Sequence, residues 1–105
     1  MTRFGQDMVY ARIEAFPNKG AAGHGRRGGA LVNCWIKRDD IDEAVSVARR
    51  MIAERDWHSE TLEEARHCSR EEFPEESRPY FDQAMTDGEV LVFYAHPKQA
   101  DEESL

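Results

Sequence analysis

The sequence holds only two cysteines in 105 residues, Cys34 and Cys68, and neither belongs to a closely spaced pair. A disulfide scaffold of the secreted type needs more, so both thiols are expected to be reduced. No run of about 18 apolar residues is present to span a membrane, and the opening MTRFGQDMVY lacks the apolar stretch of a signal peptide. A cytoplasmic location with no membrane partner is the expectation. Large aliphatic and phenyl side chains are scarce too: Leu, Ile, Val and Phe number 19 together, which at a net charge of -7 lies near the composition of chains that stay unfolded. None of the five serines stands in a G-x-S-x-G elbow, and there is no C-x-x-C or H-x-x-x-H. Nucleophilic and metal chemistry therefore lack their usual frames, and no cofactor is expected.

What the chain does have is concentrated. Its apolar residues fall into a few short blocks, supplemented by twelve alanines. From Met8 to Phe16, Val9, Ala11, Ile13 and Ala15 alternate with Tyr10, Arg12 and Glu14, which predicts a half-buried strand. Residues 18–29 contain five glycines and no large apolar side chain, predicting a flexible, basic, glycine-rich loop. Ala30 to Lys37 reads as a second strand, with Val32, Cys34 and Ile36 on one side and Leu31, Asn33 and Trp35 on the other.

Asp40 and Glu43 have the spacing of a capping box, opening a helix whose stripe is Ile41, Ala44, Val45, Ala48, Met51 and Ile52 and which ends near Arg55. Trp57 is expected to fold back onto the core. Residues 59–69 are assigned to an edge strand. A second helix is expected to open at Phe73-Pro74, to bury Tyr80, Phe81, Ala84 and Met85, and to stop at Asp87-Gly88. Glu89 to Ala95 is apolar on both faces, the pattern of a strand in the middle of a sheet. The domain is expected to span 1–97, with 98–105 a disordered acidic tail.

Strand, strand, helix, strand, helix, strand predicts an α+β fold: a two-layer sandwich in which two helices cover one face of a four-stranded sheet. The layout resembles the ferredoxin-like plait, but with an altered order of strands and helices. One sheet face would be left open, carrying Tyr10, Arg12, Asn33 and Trp35. So much aromatic surface is rarely left in water, and a homodimer through that face is the expected cover.

Three constellations bear on function. Gly23-His24-Gly25-Arg26-Arg27-Gly28 matches the G-x-G-x-x-G string, but a strand follows where a dinucleotide site needs a helix N-terminus. What remains is a candidate anion contact made by Lys19, His24, Gly25, Arg26 and Arg27. His67 and Cys68 are adjacent soft ligands, and with Cys34 and His58 they are the residues a small enzyme or metal-binding protein would use; in a regular strand the two neighbours point to opposite faces. Charge supplies the third: residues 1–38 carry +5 and the remainder -12. An acidic body repels phosphate backbones, which argues against nucleic acid, whereas Glu60 to Glu76 with Asp39, Asp40 and Asp42 offer a surface for a basic protein partner, as in acidic inhibitors of the immunity type. The leading expectation is a non-catalytic interaction module that dimerises.

Overall fold

A computed structural model describes residues 8–18 and 28–95. Its elements are β1 (Val9–Pro17), β2 (Ala30–Ile36), α1 (Ile41–Glu54), β3 (Trp57–His67), a short 3-10 turn (Arg70–Glu72), α2 (Arg78–Asp87) and β4 (Glu89–Ala95). The four strands form one antiparallel sheet in the order β3-β1-β2-β4. The α+β class and the four-stranded sheet with two helices are as the sequence pattern implies. The predicted anion-contact residues and the acidic tail lie outside the described residues.

The central pair, β1 and β2, sets the register for everything else. Val9 opposes Ile36, Ala11 opposes Cys34 and Ile13 opposes Val32, so the alternating apolar residues of both strands share one face. All six are buried there against Ala44, Val47, Ala48 and Ile52 of α1. The alanines at 44 and 48 let the helix backbone approach closely. Asp40 opens α1 by accepting from the N–H groups of Asp42 (2.8 Å) and Glu43 (3.3 Å), satisfying two donors that the first turn leaves orphaned. The helix closes at Asp56, whose φ of 67° is the left-handed conformation that aspartate tolerates better than most residues. Asp56 then accepts from Asn18 N–H at 2.8 Å, tying the end of β1 to the turn that starts β3.

Two expectations about placement are corrected. The helices do not share a face. α1 covers Val9, Ala11, Ile13 and their neighbours, while Phe81 and Ala84 of α2 pack with Met8, Tyr10 and Trp35 on the other side. Tyr10 opposes Trp35 across the strands, and both alternate with the α1-facing residues, so the two helices sandwich the sheet in three layers. The reason is space and demand: a 14-residue α1 already occupies the first face, and the aromatic second face would otherwise meet water. The second correction concerns β4, which lies at the edge of the sheet rather than in its middle. The edge assignment for 59–69 agrees with β3, at the opposite margin.

The second helix also begins later than Phe73. Phe73 caps the aromatic cluster instead, and a turn in which Ser77 N–H donates to the Pro74 carbonyl (2.8 Å) leads into α2. Pro79 sits in the first turn, where its missing N–H costs nothing. Gly88 ends the helix with φ 97°, as expected. Of the predicted stripe, Met85 is the exception at 41% exposed.

Gly29 precedes β2 and is buried against the end of β1. A Cβ there would stand 2.8 Å from both the Ala15 carbonyl oxygen and Cε2 of Phe16, closer than any ordinary contact. G29A is therefore expected to destabilise by about 1–3 kcal/mol through overpacking, read as a lower urea midpoint; a midpoint equal to wild type would show that Phe16 does not lie on this glycine.

Candidate functional site

The face under α2 divides into a closed half and an open half. In the closed half Tyr10, Trp35 and Phe73 form a triangle with ring centroids 5.3–5.6 Å apart, and Tyr80 adds a further ring 5.4 Å from Trp35. These separations suit tilted aromatic pairs, each worth about 0.5–1.5 kcal/mol beyond simple burial. The Arg66 guanidinium lies over Tyr10 at 5.4 Å and over Phe73 at 6.0 Å. It also donates to Glu64 at 2.6 Å and to Glu72. Its bond to Glu64 raises the Arg66 pKa. Burial pulls the Glu72 carboxyl upward, but bonds from Arg66 and from Ser69 N–H outweigh it and hold the group below its ordinary value.

The homodimer contacts predicted at Tyr10 and Trp35 are thereby corrected. Trp35 is 1% exposed and Tyr10 is buried beside it, covered by the chain's own α2 and Phe73. Arg12 and Asn33, one step further along the strands and opposite each other, are half-buried at the start of the open half. Arg12 reaches Glu63 and Glu64, each at 3.6 Å. Nε of Arg12, Oδ1 of Asn33 and Nε1 of Trp35 have no hydrogen-bond partner among the described residues. Beyond them the half-buried Phe16, Leu31 and Val92 and the 46% exposed Tyr94 complete the open half.

The thiols and imidazoles are dispersed. Cys34 belongs to the core under α1 and Cys68 to the core under α2, on opposite sides of the sheet. Burial pushes both thiols up to about 12, and their weak S–H donors point at the carbonyls of Val32 and Met8, each at 3.6 Å. His58 hydrogen-bonds Asn18 and Glu60, each at 3.0 Å. His67 bonds the Asp39 carbonyl at 2.6 Å. Among the described residues no group of three or more His, Cys, Asp or Glu side chains is placed to hold a metal ion, and no helix is long and apolar enough to cross a membrane.

The sheet's two margins differ in character, which sequence reading missed. β3 exposes Glu60, Thr61, Leu62 and Glu63 and shifts register twice against β1, devices that blunt an edge. β4 has neither. Val90 and Val92 pack on the α2 side, Leu91 and Phe93 on the α1 side, where Trp57 meets Phe93 edge-on at 5.3 Å. Each of the four is only half-buried. The signal was present in EVLVFYA, whose two apolar faces require neighbours on both sides.

Among the described residues these features define a three-layer α+β arrangement with a closed aromatic core, one edge blunted by charge and register shifts, and a second edge, β4, that carries neither device. Protein-family models, curated proteins and solved structures were compared with the chain, and none matches.

Proposed function

We propose that the chain is a small non-catalytic interaction module of the cytoplasm that acts as a homodimer through the β4 side of its sheet. The observation that carries this is an apolar strand at a sheet margin: Val90 to Phe93 are half-buried by their own chain and Tyr94 is exposed. An unguarded edge of that kind is a template for another strand. The cytoplasmic assignment is compatible with the absence of a disulfide between the two cysteines, both free and buried.

The alternative of an acidic inhibitor with a basic partner has less support. Glu63, Glu64 and Glu72 are engaged by Arg12 and Arg66, and Asp82 by Arg70 at 2.8 Å, so part of the acidic surface is neutralised within the chain. Salt separates the two readings. A dimer of chains carrying -7 each is expected to tighten as salt screens their repulsion, whereas capture of a basic partner weakens.

Native mass spectrometry at micromolar concentration is the test. A mass of twice 12.1 kDa supports the module. A monomer overturns it, and a retained anion or metal transfers support to the ligand or enzyme readings.

A further inference from the structure

We infer that the dimer forms by antiparallel pairing of β4 with β4 of a second copy, centred on Val92, so that two four-stranded sheets join into one continuous sheet. The inference rests on the homodimer reading and specifies its geometry.

The backbone of β4 shows which groups are free. Lys37 N–H donates to the Gly88 carbonyl at 2.9 Å, which makes 37 and 88 a hydrogen-bonded pair in the β2–β4 ladder. Alternation then turns the N–H and C=O of Val90, Val92 and Tyr94 toward their partners Trp35, Asn33 and Leu31 in β2. Those of Glu89, Leu91, Phe93 and Ala95 face away from the sheet. Among the described residues no strand pairs with them.

A second copy fits this edge with its longest overlap when Val92 opposes its own counterpart. Leu91 then faces Phe93 of the other copy, and Glu89 faces Ala95, both as hydrogen-bonded pairs built from the outward groups. Val90 and Tyr94 oppose each other as a non-hydrogen-bonded pair. Residue parity is preserved, so Leu91 and Phe93 continue the α1-side core and Val90, Val92 and Tyr94 continue the α2-side surface. No like charges meet, because Glu89 is the one charged residue of β4 and it lies opposite alanine. The other margin does not pair with itself this way. A two-fold centred on Leu62 of β3 sets Glu60 against Glu64 and Thr61 against Glu63, and like charges directly opposed disfavour pairing.

The register can be tested by charge at its ends. Ala95 is exposed, so A95E leaves the monomer fold intact while setting two glutamates against each other at both ends of the joint. The dimer is expected to weaken about tenfold, read as the dissociation constant by analytical ultracentrifugation, and the double variant E89K/A95E is expected to restore it by placing opposite charges there. If wild type dimerises but A95E binds equally well, or the double variant fails to recover, the β4 joint is wrong and the homodimer reading survives without it. If wild type stays monomeric throughout, both fall together.

Discussion

Replacing Trp35 by alanine is expected to cost about 3–5 kcal/mol, the range for removing a large aromatic side chain from a packed core. The indole contacts Tyr10, Phe73 and Tyr80 at 5.4–5.6 Å between ring centres, so its loss opens a cavity between the sheet and α2. Domains of this size hold about 5–15 kcal/mol in total, and the variant should be close to unfolding at 37 °C. W35F keeps most of the volume and leaves no unpartnered indole N–H, so it should cost much less. The pair of measurements bears on where α2 sits. An open sheet face would leave Trp35 exposed in the monomer, and truncation there would change the urea midpoint only slightly.

The second large effect is alkaline. Burial raises the Cys34 thiol to about 12 from an ordinary value near 9, so the folded protein holds that proton more tightly than the unfolded chain does. A neutral group whose folded pKa is raised contributes its stability below the unfolded pKa and loses it as pH climbs toward the folded one. Between about pH 9 and 12 each such thiol should therefore lower stability by about 1.4 kcal/mol per pH unit. Cys68 is raised to the same degree, chiefly by burial and then by the charge of Glu72. Urea titrations across this range should show a falling stability to which Tyr10 and Tyr94, both raised chiefly by burial, also contribute, and C34A should make the fall shallower by the Cys34 share. An unchanged slope in C34A would mean that the thiol is not buried in the α1 core.

Much of this architecture was legible in the residues. The alternation of Val9, Ala11, Ile13 and Ala15, the Asp40 cap and the Gly88 stop each depend on local spacing, which the chain displays directly. The face on which α2 lands does not. Tyr10 and Trp35 announce that their side of the sheet must be covered, yet the same pattern suits a second subunit or the chain's own helix, and only the path from β3 to β4 decides. Phe73 went unrecognised as the cap of that cluster because helix signals around Pro74 absorbed it. Next to His67 in the sequence, Cys68 reads as a metal-ligand candidate, whereas Met8 and Phe73 bury it in the core. The glycine-rich contact at Lys19, His24, Gly25, Arg26 and Arg27 lies outside the described residues.

β4 is the informative disagreement. Two apolar faces read as an interior strand because an interior strand has sheet on both sides, and the described residues supply only one. Joining two copies at β4 would make the strand interior after all, reconciling its composition with its position. The Arg55 guanidinium over Phe93, at 5.8 Å, and the edge-on Trp57 already hold the α1 side of this strand in place, so little ordering is left for association to impose.

Amide hydrogen exchange resolved by residue along β4 tests this most directly. Val90 and Val92 bond to β2 in either case and should be protected at every concentration. Leu91 and Phe93, whose amides face outward, should be protected at high concentration and lose that protection on dilution. Fast exchange of Leu91 and Phe93 at all concentrations, with Val90 and Val92 still protected, would contradict the pairing.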